Sequence, residues 1–132
     1  MLKILAIQTK EAQKALCEAC GVPFVETDMA YAISVDDQNI GVIPFYIKGQ
    51  KGYIRKVALL PGVDDFEAQF IGGRGCINFI DLCGAHDCYL LDAGSDDDKH
   101  RLAIALGFKP DGDGNWYMDL RSFFEDPCKH EK

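Results

Sequence analysis

The sequence contains no apolar run that approaches the roughly 20 residues needed to cross a membrane, and its basic residues are few. Lys and Arg total 14 against 21 Asp and Glu residues, so the formal net charge is −7 at pH 7. A field of this sign disfavours binding to nucleic acid or to an anionic membrane surface. We therefore expect no nucleic-acid partner and no membrane partner, and a cation rather than an anion as a charged ligand.

Signals for export, repeats and linkers are also missing. Residues 1–5 lack the basic region, the long apolar stretch and the cleavage site of a signal peptide. The chain has 132 residues, of which 48% are hydrophobic, and this is enough for one core and too little for two. These observations predict a cytoplasmic protein with one domain over residues 1–126 and a C-terminal tail over residues 127–132.

Six cysteines are present, but their density is below that of a disulfide scaffold, so reduced thiols are expected. Cys17 and Cys20 form a CxxC motif at the end of a predicted helix, where the helix dipole opposes a thiolate. A zinc site would need two more ligands, which Cys83 and Cys88 could supply only if they folded alongside. We predict no metal site.

The first half of the sequence predicts a strand, a helix and three further strands. Residues 2–8 form the first strand, and Thr9 is a plausible N-cap for a helix over residues 10–20 that Gly21 ends. Stretches rich in β-branched and aromatic residues, separated by polar clusters of hairpin length, then predict an antiparallel meander. Its strands are expected at residues 29–35, 40–47 and 53–60.

The second half changes to a helical period. Apolar residues and glycines recur every three or four positions over residues 64–83, which predicts a helix although Gly72, Gly73 and Gly75 disfavour one. A strand at 87–91, a helix at 96–106 and a closing hairpin follow. The predicted order is β-α-βββ-α-β-α-ββ, a mixed, mostly antiparallel sheet flanked by helices in one α/β domain.

This order, together with two sequence stretches, resembles the GNAT family of acyl-CoA-dependent N-acetyltransferases. One stretch is Val57-Ala58-Leu59-Leu60-Pro61, which is similar to the family's fourth strand and the proline that closes it. The other covers residues 102–120 and contains Leu106-Gly107-Phe108, which is similar to the junction between the last helix and the closing hairpin. The resemblance covers residues 29–120 and implies a single GNAT-like domain.

The resemblance implies transfer of an acetyl group from acetyl-CoA to a primary amine, which attacks the thioester directly. Backbone groups of Leu59 and Leu60 would bind the pantetheine and polarise the carbonyl, while Gly62, Val63 and the following helix start would take the pyrophosphate. Asp92, at the end of the fifth strand, is the candidate for handling the proton. The acceptor is expected to be a small-molecule or peptide amine, cationic because the chain is acidic.

The sequence departs from the family at the pyrophosphate loop, which has the pattern Gln/Arg-x-x-Gly-x-Gly/Ala. Here Pro61 is followed at once by Gly62-Val63-Asp64-Asp65, so the loop is short and carries two carboxylates where an anion would bind. In one alternative, Gly73 and Gly75 belong to a displaced phosphate loop and add to the cofactor site. In the other, these glycines lie inside a continuous helix.

A second departure concerns the general acid. Many family members carry a tyrosine five residues before the Gly-Phe phenylalanine, and this position is Ala103 here. Two functions therefore stay open: an N-acetyltransferase, or a non-catalytic binding module that keeps the fold. Exposed strand edges leave room for a homodimer in either case.

Overall fold

The computed structural model describes residues 1–92 and 97–123. The predicted tail at residues 127–132 lies outside the described residues. The strands are β1 Leu2–Ala6, β2 Met29–Val35, β3 Gln38–Lys48, β4 Lys51–Ile54, β5 Ala58–Leu59, β6 Asp87–Leu90, β7 Lys109–Pro110 and β8 Trp116–Asp119. The helices are α1 Lys10–Ala19, α2 Phe66–Leu82, α3 Asp97–Leu106 and the short α4 Leu120–Phe123.

The described strands form one sheet in the order β1-β2-β3-β4-β6-β8-β7, and β5 pairs with β3 beside this path. The pairing is antiparallel except between β4 and β6, which are joined by the α2 crossover. The predicted mixed, mostly antiparallel sheet is therefore confirmed. The predicted strand over residues 53–60 is wrong in one respect, because it is interrupted between β4 and β5.

Two apolar clusters lie on opposite faces of the sheet. The larger cluster packs α2 and α3 against one face and includes Ile33, Phe45, Ile77 and Leu106. The smaller cluster packs α1 and the chain after it against the other face, around Cys17, Val22, Val42 and Ala58. Strand alternation explains this division, because successive side chains of β3 point to opposite faces.

Helix α1 begins and ends where the sequence predicted. The Thr9 side chain accepts a hydrogen bond from the Ala12 N–H at 3.1 Å, and Gly21 follows the helix with φ +72°. Such an N-cap satisfies one of the free N–H groups of the first turn. Val22, the residue after Gly21, packs into the smaller apolar cluster on this face of the sheet.

Helix α2 is continuous through its three glycines. A Cβ on Gly73 would lie 2.8 Å from Cδ1 of Leu106, and one on Gly72 would lie 3.0 Å from Cδ1 of Ile43. These glycines therefore let α2 approach α3 and the sheet closely. The displaced-loop alternative is wrong, because Gly73 and Gly75 lie in the interior of a helix that starts at Phe66.

Candidate functional site

An irregularity where β4 gives way to β5 opens the sheet. The Arg55 N–H donates to the Pro44 carbonyl at 2.9 Å, and Ala58 pairs with Val42. Between these two pairs, β3 contributes one residue and the other strand contributes two, Lys56 and Val57. This is a β-bulge, which bends its strand and disrupts the ladder locally.

Pro44 completes the opening because it has no N–H to give to Arg55. The Arg55 carbonyl instead accepts the N–H of Asp92 at 3.0 Å, next to a bond from the Leu91 N–H to the Ile54 carbonyl at 2.9 Å. Residues 91–92 therefore continue β6 alongside the β4 strand as far as Arg55, while β5 stays with β3. The two strands diverge from this point.

The backbone of Leu59 faces this gap. Leu60 donates its N–H to the Ile40 carbonyl at 2.8 Å, and Ala58 is paired with Val42. In an antiparallel ladder the residue between two hydrogen-bonded positions directs its own N–H and C=O away from the partner strand. The N–H and C=O of Leu59 therefore point away from β3 and toward the gap.

The other residues predicted to bind acetyl-CoA after Leu59 form a turn. The Val63 N–H donates to the Leu60 carbonyl at 3.0 Å, Pro61 occupies the second position, and Gly62 has φ +82°. This is the pattern of a type II turn, in which the third position requires a positive φ. Both Leu60 and Val63 thus use their N–H groups within the protein.

The N-terminus of α2 is occupied by the chain's own carboxylate. The Asp65 side chain accepts the Ala68 N–H at 3.0 Å as the N-cap, Asp64 precedes it, and Glu67 lies in the first turn. Carboxylates are stabilising at this positive end of the helix dipole. One of the N–H groups that an external phosphate could use at this helix start is therefore already satisfied.

A cleft of about 220 Å³ lies on the α1 side of the opening. The chain after α1 supplies one wall, and the bulge and the end of β6 supply the other. Its lining residues are Gly21, Val22, Pro23, Pro44, Arg55, Lys56, Leu91 and Asp92. The predicted proton-handling residue Asp92 thus lies on the wall of a cleft, and its carboxylate Oδ2 is 3.9 Å from the Lys56 Nζ.

Arg55 is held at the cleft by a buried carboxylate. Its Nε and Nη2 donate to the two oxygens of Asp28, the Nη2 bond being 3.1 Å long. The Asp28 side chain is 1% exposed, and its backbone carbonyl accepts bonds from Lys10 and Gln13. The hydrogen bond to Asp28 raises the pKa of Arg55, so the guanidinium is charged at every accessible pH.

A row of neighbouring tyrosine rings continues from Arg55 across the same face of the sheet. The Arg55 Cζ lies 4.7 Å from the ring centroid of Tyr46, and the row runs through Tyr53 and Tyr89 to Tyr117 with centroid spacings of 4.8, 5.3 and 5.2 Å. The Tyr117 hydroxyl donates to Asp87 at 2.6 Å, and this bond is the main cause that raises the pKa of Tyr117 to about 12.

Other residues considered from the sequence lie away from the opening. Ala103, the position of the family's tyrosine, is fully buried in the core beside α2. Burial raises the pKa of Cys17 and raises that of Cys20 to about 11, which is the opposite of an activated thiol. Within residues 1–92 and 97–123, no group of three or more potential ligands could hold a metal ion.

Arg55, Asp28 and the role of Pro44 were not predicted from the sequence. Pro44 was a usable signal, because proline inside a strand pattern indicates an edge or a bulge. The Asp28–Arg55 pair had no such signal, since the two residues are 27 positions apart.

No protein-family model and no curated protein matches the sequence. Among solved structures, PaiA N-acetyltransferase from Thermoplasma acidophilum in complex with coenzyme A superposes with a TM-score of 0.73 at 14% identity, over 90% of this chain and 99% of that chain.

Two further solved structures have a similar fold. A GNAT family acetyltransferase from Brucella melitensis in complex with acetyl-CoA has a TM-score of 0.64 at 16% identity, over 90% and 88% of the two chains. The ribosomal-protein-S18-alanine N-acetyltransferase from Escherichia coli has a TM-score of 0.66 at 15% identity, over 91% and 94%. No described helix is long and apolar enough to cross a membrane. The chain has the fold of the GNAT N-acetyltransferases.

Proposed function

We propose that the protein transfers an acetyl group from acetyl-CoA to the primary amine of a small molecule or peptide. The observation that carries this proposal is the gap between β5 and the end of β6, into which the N–H and C=O of Leu59 point. Similar structures with coenzyme A or acetyl-CoA bound add support at the level of the fold.

Leu59 is the residue that we propose binds acetyl-CoA. Its unpaired N–H and C=O can bind the amide groups of a pantetheine arm as an added strand would, with main-chain hydrogen bonds. Leu60 and Val63, also candidates from the resemblance, have their N–H groups in protein hydrogen bonds at 2.8 and 3.0 Å. Gly62 stands beside the gap in the turn that connects β5 to α2.

The pyrophosphate is the part of the donor that the site fits poorly. Asp65 already caps α2, and Asp64 and Glu67 add negative charge at the same helix end. Like charges within a few ångströms oppose binding by about 1 kcal/mol per pair in a water-like dielectric. We therefore infer weak binding of the pyrophosphate, with most of the donor affinity supplied through the pantetheine arm.

Asp92 is the group that we propose accepts the proton from the acceptor amine. The amine nitrogen attacks the thioester carbonyl carbon, the C–S bond breaks, and the amine loses one proton as the thiolate leaves. The Asp92 carboxylate lies on the cleft wall and is 56% exposed, so it can accept that proton directly or through water. The Lys56 Nζ lies 3.9 Å from the Asp92 Oδ2, on the same wall of the cleft.

Calorimetric titration with acetyl-CoA, together with a thermal shift, tests this proposal. A ligand of the native state at a hundredfold excess over its Kd adds about 2.7 kcal/mol of stability. Leu59→Pro removes an N–H that no β3 carbonyl accepts, so it should abolish binding and leave the β3 ladder intact. Leu59→Ala, which keeps the N–H and shortens the side chain, is the matched control and should still bind.

Two results would overturn the proposal. One is the absence of any shift at millimolar acetyl-CoA, which would favour the non-catalytic binding module. The other is equal binding by Leu59→Pro and the unaltered protein, which would place the donor elsewhere on the molecule.

A further inference from the structure

The outer edge of the Arg55 guanidinium is available to a ligand. A guanidinium carries five N–H donors in one plane. Asp28 takes the Nε donor and one donor on Nη2, which leaves one on Nη2 and two on Nη1. The remaining pair, one from each Nη, has the spacing that binds a second carboxylate through two parallel hydrogen bonds.

The surroundings of Arg55 fix that edge toward the cleft. Asp28 holds one side of the guanidinium, the Tyr46 ring covers one face at 4.7 Å, and the side chain stays 31% exposed on the cleft wall. A buried ion pair adds little stability over apolar residues of the same volume. Its position therefore points to orienting the guanidinium for a ligand rather than to holding the fold.

The neighbouring strand places an acid beside this cation. The Asp92 N–H is bonded to the Arg55 carbonyl at 3.0 Å, so the two residues are adjacent across the strands and both line the cleft. A ligand that spans them meets a cation at one end and a carboxylate at the other. Val22, Pro23 and Leu91 supply apolar surface between.

We propose that the acceptor is a small amino carboxylate, whose carboxylate binds the outer edge of Arg55 while its amine faces Asp92. Reading this ligand as the acceptor rests on the proposed function. The cleft of about 220 Å³ is below the roughly 300–1,000 Å³ typical of drug-sized ligands, which fits a molecule as small as a free amino acid.

An amino carboxylate differs from the cationic acceptor that the net charge favours. Arg55 pairs with Asp28 and Lys56 lies near Asp92 at the cleft, so charges of both signs are present there although the chain carries −7. A zwitterion matches such a site better than a polycation does, because it presents one charge of each sign.

The test measures binding and reaction separately. Saturation-transfer NMR without acetyl-CoA screens the twenty standard amino acids and β-alanine, and each bound amino acid is compared with the amine that lacks its carboxylate. Mass spectrometry then follows N-acetylated product with acetyl-CoA present. We expect at least one amino acid to bind and react about tenfold better than its decarboxylated amine.

Two variants and one control locate the effect at Arg55. The double variant Asp28→Asn with Arg55→Gln removes both charges without leaving a buried one unpaired, and Arg55→Lys keeps the charge but loses the planar fork. Each should raise the Kd for the amino acid at least about tenfold and remove the preference for a carboxylate. Lys51→Gln, an exposed residue at the far end of β4, is the control and should change neither.

The outcomes separate this inference from the proposed function. If acetyl-CoA binds and amines react as well as amino acids, the inference is overturned and the proposed function stands. If amino acids bind through Arg55 while acetyl-CoA does not bind, the carboxylate site stands and its reading as the acceptor site falls. If no amino acid binds at millimolar concentration, or the Arg55 variants bind normally, the carboxylate site is overturned.

Discussion

Two regions flank the sheet opening, and an internal carboxylate has opposite effects on anion binding in them. On the α1 side, Asp28 neutralises Arg55 in a bidentate pair and still leaves donors for a ligand. On the α2 side, Asp65 caps the helix start with its own carboxylate and takes a donor that a ligand phosphate would need. A fixed internal carboxylate therefore orients Arg55 for an anion in the first region and disfavours an anion in the second.

This difference shows that net charge is a poor guide to an individual site. Part of the acidity of the chain lies at Asp64, Asp65 and Glu67, whereas charges of both signs line the cleft around Arg55. Electrostatic interactions are strongest within one Debye length, about 8 Å at physiological salt. The charges near each site, rather than the total of −7, decide what it binds.

The largest effect is expected where the Asp28–Arg55 pair is broken. Arg55→Ala leaves Asp28 buried and unpaired, which should lower the free energy of unfolding by about 3 kcal/mol. Urea unfolding of this variant, compared with the double variant Asp28→Asn with Arg55→Gln, measures the difference. If the free energy of unfolding of Arg55→Ala falls by less than about 1 kcal/mol, the ion pair with Asp28 does not hold Arg55 at the cleft.

A smaller effect separates the packing role of the α2 glycines from a role in phosphate binding. Gly73→Ala places its Cβ 2.8 Å from Leu106 Cδ1 and should cost about 1–3 kcal/mol of stability. In Gly75→Ala the Cβ lies 3.9 Å from Ile4 Cγ2, so this control should be neutral or stabilising by up to about 1 kcal/mol.

Both glycine variants are expected to bind acetyl-CoA as the unaltered protein does, because their N–H groups lie in the helix interior. A selective loss of acetyl-CoA affinity in Gly73→Ala, with the fold retained, would contradict the contrast drawn between the two regions.

Removing the negative charge of Asp65, the N-cap of α2, should strengthen the binding of acetyl-CoA. Asp65→Asn keeps a side-chain oxygen for the Ala68 N–H but removes the carboxylate charge, so the Kd for acetyl-CoA should fall about twofold to fivefold. Calorimetry at 50 mM and 500 mM salt checks this, and the gain should shrink at high salt. Asp37→Asn, in the exposed β2–β3 turn, is the matched control and should change nothing.

The smallest effect concerns the far end of the tyrosine row. The hydrogen bond to Asp87 raises the pKa of Tyr117 from 10.0 to about 12. Because the folded state favours the protonated hydroxyl, this contribution to stability is fully present below pH 10 and is lost as the pH rises through about 12. Burial also raises the pKa of Tyr31. Ultraviolet titration should therefore show late-ionising tyrosines, and Asp87→Asn or Tyr117→Phe should remove the step that belongs to Tyr117.

Local signals explain how much of the fold was predictable. Thr9, Gly21 and the polar turn clusters act within a few residues, so α1 and the first two strands of the meander follow from the sequence. Pro61 and Gly62 likewise specify the turn after β5. The interruption between β4 and β5 was missed, because it depends on which residue of β3 lies opposite Arg55.

The sequence by itself determined the order of the elements, the continuous apolar stripe of α2 and the presence of carboxylates after Pro61, since these depend on periodicity and neighbouring residues. The tertiary structure alone decided that Asp28 meets Arg55, that Leu59 turns its backbone to the gap, and that Gly73 packs against Leu106. The physical reason is that such contacts join residues far apart in the chain, and strand register and helix packing bring them together only in the folded protein.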